Sequence, residues 1–98
     1  MPVTSLTLWD IDPHKGRELV TRGRDMLKQS GATRVGIGHV HTGPYTGWFG
    51  TSLTYDSWEA YGRGMANLME NQQYRALLAE GHQASKSVQR TVLVWEEV

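Results

Sequence analysis

Segments rich in β-branched and aromatic residues alternate along this chain with segments whose apolar residues recur at helical spacing. The predicted elements are a strand over 3–9, a helix capped by Asp12, a hairpin of strands from residue 34 and over 48–55, a helix capped by Asp56 or Ser57, a short third helix ending at Gly81, and a strand over 88–96. With right-handed crossovers, the order β-α-β-β-α-β gives one four-stranded antiparallel sheet in the spatial order 4-1-3-2. The sequence therefore predicts an α+β, ferredoxin-like fold in one domain spanning residues 1–98.

Apolar side chains fall on both sides of the predicted strands. In the last strand, Val92 and Val94 face one way, while Leu93 and Trp95 face the other. An antiparallel sheet with helices on one face normally turns a polar second face to water. Covering an apolar face of several hundred Å² would contribute on the order of 10 kcal/mol, at about 25 cal/mol per Å². We therefore expect a symmetric homodimer that packs sheet against sheet as a dimeric α+β barrel; the alternative is that the third helix and the tail cover one side.

Composition excludes several classes of partner. The chain has 98 residues with ten basic and ten acidic side chains and no cysteine. This balance lacks the excess of positive charge on which binding to nucleic acids and anionic membranes depends. No run approaches the roughly 18 apolar residues of a membrane-spanning helix, and Met1 to Thr4 does not resemble the start of a secretory signal. We therefore expect a cytoplasmic protein with no nucleic-acid or membrane partner.

His39 and His41 are the candidate catalytic residues. Residues two apart on a strand share a face, so both imidazoles can meet the same substrate, proton or metal ion. A zinc site needs at least a third ligand, which the spacing does not supply, and no metal site is predicted. The remaining alternatives are proton transfer or substrate contact by this pair, or two ordinary strand histidines beside a turn. His82 is placed in the loop before the last strand, where an ordinary surface role is the expectation.

Aromatic residues form the second candidate site. The chain has four Trp and four Tyr. Those that can line a flat aromatic ligand are Trp9, Trp48, Tyr55, Trp58, Tyr61 and Trp95, of which the last five are the predicted substrate-binding residues. The alternative is that these rings fill the core and an interface, since buried aromatics account for much of the core of a small domain.

Three short motifs accompany this order of elements. A Gly43-Pro44 turn precedes Gly47-Trp48, the run over 55–60 reads Tyr-Asp-Ser-Trp-Glu-Ala, and the run over 74–78 reads Tyr-Arg-Ala-Leu-Leu. Over nearly its whole length the chain thus resembles the dimeric α+β barrel superfamily, which includes antibiotic biosynthesis monooxygenases and NIPSNAP-type and EthD-type small proteins. The resemblance implies a pocket between sheet and helices, in which some members oxygenate polycyclic phenols without a cofactor. It does not extend to the haem-degrading members, because Tyr61 and Leu78 stand about where those proteins carry Trp and His.

Two functions remain open at this stage. The first is a cofactor-independent monooxygenase or isomerase acting on an aromatic or polyketide-like small molecule, with His39 or His41 moving a proton or holding an oxyanion. The second is a non-catalytic ligand carrier or dimeric accessory protein in which the same residues only pack. No cofactor is predicted.

Overall fold

A computed structural model describes all 98 residues as four strands and three helices. The strands are β1 (Val3–Trp9), β2 (Arg34–His39), β3 (Phe49–Tyr55) and β4 (Val88–Val94), and the helices are α1 (Pro13–Gln29), α2 (Trp58–Glu70) and α3 (Gln72–Ala84). The strands form one antiparallel sheet in the order β2-β3-β1-β4, so the predicted ferredoxin-like topology is confirmed. None of the helices combines the length and apolar content needed to cross a membrane.

Each helix begins at a short polar side chain that accepts hydrogen bonds from otherwise free backbone N–H groups. Asp12 caps α1, as predicted, and is followed by Pro13 at the first helical position. Of the two candidates for the second cap, Ser57 is the one used. Asn71 ends α2 and its side chain caps α3, which confirms the predicted break between these helices.

Cross-strand register divides the strand residues between two faces of the sheet, because directly paired residues point to the same side. The inner face, which meets all three helices, includes Trp9 and its partner Phe49, and Val3 and its partner Tyr55. The outer face has no covering element within the chain. It carries the strand residues that alternate with those of the inner face. The outer-face residues with large apolar side chains are Leu6, Leu8, Leu93 and Trp95.

The core is centred where α2 crosses β3. Tyr55 and Leu68 are fully buried there. Gly64 of α2 lies directly on the Tyr55 ring, so close that an added Cβ would be 2.5 Å from the ring atom Cε1. The Tyr55 hydroxyl is 2.7 Å from the Ser30 Oγ atom after α1. Burial raises the pKa of the Tyr55 phenol, which stays neutral and ties α1 to β3.

The third helix is longer than the sequence predicted. Gly81 does not end it, since α3 continues to Ala84 and is followed by Ser85, whose hydroxyl donates to the Gly81 carbonyl oxygen at 2.7 Å. Gly81 is present for packing: its Cβ position would lie only 3.3 Å from Cζ3 of Trp9. His82 therefore belongs to a helix that packs on the sheet, and its predicted placement in a loop is wrong.

An ion-pair cluster joins α1 to α3 above the sheet. The Lys15 ammonium lies 2.8 Å from Glu80, and the Arg22 guanidinium donates to both Glu80 carboxylate oxygens at 3.1 Å. Glu18 contacts both cations from within α1. These hydrogen bonds, from Arg22 first and then Lys15, lower the pKa of the Glu80 carboxyl from 4.5 to about 2.

Stability should therefore depend on pH through Glu80. Because its folded-state pKa is below the unfolded value, the stabilisation is complete above about pH 4.5 and is lost as the pH falls toward 2. The effect is modest because the groups are exposed. We expect Glu80→Gln to lower the free energy of unfolding at pH 7 and the difference from wild type to shrink at pH 2, as measured by urea unfolding. Glu70→Gln, which removes a carboxylate without an ion pair, is the control and should show no such convergence.

Candidate functional site

A cavity of about 440 Å³ lies between the inner face of the sheet and the three helices. This volume is within the range of about 300–1,000 Å³ that is usual for small-molecule sites. Most of its wall is apolar and comes from every layer of the fold. Representative wall residues are Leu19, Leu27, Phe49, Leu53, Met65 and Leu77. No Asp, Glu or Lys side chain lines the cavity, so its polar character rests on a few hydroxyl groups, one guanidinium and one imidazole.

Arg90 supplies the cation of the cavity. It lies on the inner face of β4, where its Nε donates to Ser5 Oγ at 3.2 Å and its Nη2 to the Tyr61 hydroxyl at 2.8 Å. None of the ion pairs in the chain includes Arg90. Its Nη2 also donates to Met65 Sδ at 3.4 Å. A guanidinium has five N–H donors and no acceptor, so three neutral partners leave donor capacity and a full positive charge for a ligand.

Tyr74 faces the same part of the cavity from α3. Burial raises the pKa of its phenol, and the nearby positive charge of Arg90 only partly opposes this effect. The phenol is therefore protonated at neutral pH and is able to donate a hydrogen bond. Arg90 and Tyr74 together offer donors from a strand and from a helix to an oxygen atom placed between them.

Trp9 and His82 form the wall at the end of β1. The Trp9 indole N–H donates to Thr51 Oγ1 at 3.1 Å, which fixes the indole on the sheet. The His82 ring meets the indole edge to face, with centroids 5.3 Å apart and an interplanar angle of 64°. Both residues line the cavity. The imidazole is thus positioned by packing against a ring that is itself held by the sheet.

The structure separates the two histidines that the sequence placed on one strand face. His39 is the last residue of β2 and is exposed, with its ring 5.8 Å from that of Phe49 on the inner face. His41 lies beyond the strand in the exposed turn, where backbone bonds from Val40 to Trp48 and from Gly47 to Val40 close the hairpin. Neither residue lines the cavity. No group of three or more potential metal ligands is formed in the chain. Catalytic roles for this pair stay a prediction.

Three of the predicted substrate-binding aromatics lie around α2. Tyr55 is fully buried in the core. Trp58 is 57% exposed and stacks on Tyr61 with centroids 5.3 Å apart. Tyr61 reaches the cavity indirectly, because its hydroxyl accepts the hydrogen bond from Arg90. Of these three, Tyr61 is the one that the structure connects to the polar part of the site.

The other two predicted aromatics lie away from the cavity. Trp48 precedes β3 and packs against Tyr45 in the hairpin turn, with centroids 4.9 Å apart. Trp95 follows β4 on the outer face, where its indole N–H donates to Thr4 Oγ1 at 2.8 Å, and it is 52% exposed. Their role in ligand binding stays a prediction, and for Trp95 the structure places the ring on the side of the sheet opposite the cavity.

Two cavity residues, Arg90 and His82, were not among the predicted site residues, although the sequence contains a signal for each. Arg90 has the same parity as Val88 and Val92 in β4, so a charge stands within an apolar face. His82 continues the spacing set by Tyr74 and Leu78, four residues apart on one helical stripe. Ending the helix at Gly81 concealed the second signal.

The comparison with protein families gives one match. A family model described as a domain of unknown function, DUF6854, matches residues 18–93. This chain belongs to that family. The matched range runs from within α1 to the penultimate residue of β4, so Tyr74, His82 and Arg90 all lie inside the DUF6854 domain. No curated protein matches the chain at the level of sequence.

Solved structures show how widely the fold of this DUF6854 domain is shared. A variant of SnoaB, a cofactor-independent oxygenase from Streptomyces nogalater, superposes with a TM-score of 0.75 at 10% identity, covering 99% of this chain and 95% of that one. A NIPSNAP family protein from Agrobacterium tumefaciens gives 0.67 at 15% identity, with 98% and 87% covered. A dabb family protein with a ferredoxin-like fold from Mesorhizobium loti gives 0.70 at 11% identity, with 98% of each chain covered. The predicted resemblance to this superfamily is confirmed at the level of the fold.

Proposed function

We propose that the protein binds a flat, largely apolar small molecule in the inner cavity and that Arg90 holds an anionic or strongly polarised oxygen of that ligand. The observation that carries the proposal is the guanidinium without a carboxylate partner in a wall that contains no acidic side chain. Arg90 is exposed and has no ion-pair partner within the chain, so its charge is open to pairing with a ligand that enters the cavity. An oxygen that bears negative charge supplies that pairing, while the apolar walls accommodate the rest of an aromatic or polyketide-like molecule.

The reaction that we propose is cofactor-independent oxygenation or isomerisation of this ligand. It is supported by the fold shared with SnoaB, which is described as a cofactor-independent oxygenase, and by the donors in the cavity. Removal of a proton from a phenol or an enolisable ketone leaves negative charge on oxygen. Hydrogen bonds from Arg90 and Tyr74 would stabilise that charge as it develops, which is the effect of an oxyanion hole.

Matched ligands test the binding site. We expect anthracene-2-carboxylate to bind wild-type protein and to lose affinity by roughly 10- to 150-fold in Arg90→Gln, because a hydrogen bond to a charged group contributes about 1.5–3 kcal/mol. The uncharged anthracene-2-carboxamide should change by less than about threefold, since it lacks the charge. Titration calorimetry measures both. Arg17→Gln removes an exposed arginine outside the cavity and serves as the control; equal losses for both ligands would contradict the role given to Arg90.

Oxygen uptake with 1,8-dihydroxyanthrone distinguishes an enzyme from a carrier. The central ring of this probe has a carbonyl group and, opposite it, a methylene carbon with acidic C–H bonds. The probe reacts with dioxygen after this carbon loses a proton. Protein-dependent oxygen consumption that saturates with the probe would support the reaction. Saturable binding without consumption would instead favour the non-catalytic carrier, leaving the ligand site intact.

We also propose that the functional unit is a homodimer assembled through the outer face of the sheet. Arg34 is the single charged residue of the four strands that points to this face. Large side chains stand on its β1-β4 half, with Leu93 41% exposed. The β2-β3 half is hollow, since Gly38 and Gly50 border a depression of about 290 Å³. A two-fold axis would set the raised half of each copy against the hollow half of the other.

Light scattering tests the dimer. We expect a mass near twice the 11.0 kDa of the chain for wild type and a mass near 11.0 kDa for Leu93→Arg. The substitution places an unpaired charge in the proposed interface, and its effect on the isolated fold is small because the side chain is already partly exposed. Gln83→Arg adds the same charge on an exposed position of α3 and should leave the mass of the wild type unchanged. A wild-type mass of one chain at all concentrations would contradict the proposal.

A further inference from the structure

We infer that His82 is the residue that takes a proton from the ligand and returns it. The inference rests on the proposed function, since it assigns a role within the same cavity. The chain has four histidines: His14, His39, His41 and His82. All four are exposed to solvent, but His82 is the one that lines the cavity, whereas the other three lie outside it.

The chemistry of the lining residues leaves no second base. No carboxylate or lysine lines the cavity. Arginine does not lose its proton in proteins, and burial raises the pKa of Tyr74, which keeps that phenol protonated. Imidazole is the side chain that both accepts and releases protons near neutral pH. Among the groups that can touch a ligand, His82 is therefore the one suited to accept a proton, while Arg90 and Tyr74 are suited to hold the resulting anion.

The position of His82 is set by the sheet. Thr51 accepts the indole N–H of Trp9, and the indole meets the imidazole edge to face. The close approach of Gly81 to the same indole brings this turn of α3 down onto β1. A base held in this way loses little freedom when it acts, which favours proton transfer at a defined atom of the ligand.

Register places Arg90 one inner-face row from Trp9, the residue against which His82 packs. Arg90 pairs with Thr7, two residues before Trp9 in β1, which corresponds to about 6.6–6.8 Å along the strand. A ring system that spans these two rows can place an acidic C–H near His82 and an oxygen near Arg90, as an anthrone does. In the step, a neutral imidazole nitrogen forms an N–H bond as the ligand C–H bond breaks. The electron pair of that bond delocalises onto the ligand oxygen, and the reverse step restores the C–H bond.

Hydrogen–deuterium exchange tests this step without dioxygen. Wild-type protein in D₂O under argon should accelerate deuterium incorporation at the methylene carbon of 1,8-dihydroxyanthrone, followed by NMR. His82→Ala should lower the protein-dependent rate by at least about 10²-fold, the usual contribution of a general base. Added imidazole should restore part of it, a rescue that a purely structural defect does not show. His14→Ala changes an exposed histidine outside the cavity and should exchange at the wild-type rate.

Calorimetry of the binding of the same probe distinguishes failure of the His82 assignment from failure of the proposed ligand site. Retained binding with lost exchange and rescue by imidazole supports the assignment of His82. Exchange at the wild-type rate in His82→Ala, or a loss that instead follows the double change His39→Ala and His41→Ala, overturns it and leaves the ligand site standing. Binding without exchange in the wild type also overturns it. Absence of binding by 1,8-dihydroxyanthrone and by the anthracene pair overturns the proposed function together with the inference.

Discussion

Replacing Leu68 with alanine is expected to lower the free energy of unfolding by about 2–5 kcal/mol. Leu68 is fully buried in α2, at the centre of a core that includes few other completely buried side chains. Removing its branched end forfeits the apolar burial and leaves a cavity that the surrounding helix and sheet fill only in part. Because domains of this size are stable by only about 5–15 kcal/mol, the loss would be a large fraction of the total.

The adjacent residue provides the control for this experiment. Met69 follows Leu68 on the same helix and is 45% exposed. Met69→Ala should therefore cost less than half as much, because much of its side chain already contacts water in the folded state. Guanidinium unfolding followed by circular dichroism gives both values. Similar losses at the two positions would mean that burial in the core does not explain the stability of α2.

Replacing Gly64 with alanine is expected to destabilise the protein by about 1–3 kcal/mol, although alanine is the better helix former. The new Cβ would lie 2.5 Å from Cε1 and 2.8 Å from Cζ of Tyr55. The Tyr55 ring has little room to move, since it is fully buried and its hydroxyl bonds to Ser30 at 2.7 Å. The helix must then shift away from the sheet, and the packing of α2 is weakened.

Gly62 allows the matched comparison within the same helix. An added Cβ at Gly62 meets no atom within 4 Å. Gly62→Ala should therefore stabilise the protein by up to about 1 kcal/mol through helix propensity alone. The two variants make the same chemical change two residues apart in one helix, and only the Cβ at position 64 meets Tyr55. Their midpoints in a denaturant titration should therefore move in opposite directions. Stabilisation by both substitutions would show that α2 can move off Tyr55 without cost.

Much of the fold could be predicted because its signals are local. The first strand ends at Trp9 as its composition indicated, and Asp12 caps the helix that follows. The parity of Val92 and Val94 against Leu93 is that of the observed register. Strand alternation and capping depend on neighbours a few residues apart, so a single sequence contains them.

The candidate site was less predictable, and the reason lies in two elements. β2 ends at His39, so His41 falls in the turn and the two imidazoles do not share a strand. α3 passes through Gly81 because that glycine packs against Trp9, a residue far away in the chain. A glycine that ends a helix and a glycine that lets a helix approach a sheet look alike in sequence. Because the helix continues past Gly81, His82 lies in the wall of the cavity and not in a loop.

Periodicity, capping residues and the order of segments thus decided the number, type and connection of the elements. Which side chains meet was decided only when three helices packed on one face of the sheet. Arg90 bonds to Ser5 across 85 positions of the chain and to Tyr61 across 29, and His82 contacts Trp9, which lies near the other end of the sequence. Such contacts depend on interhelical and helix-to-sheet packing, which is set by the shapes of many side chains at once and not by any local repeat.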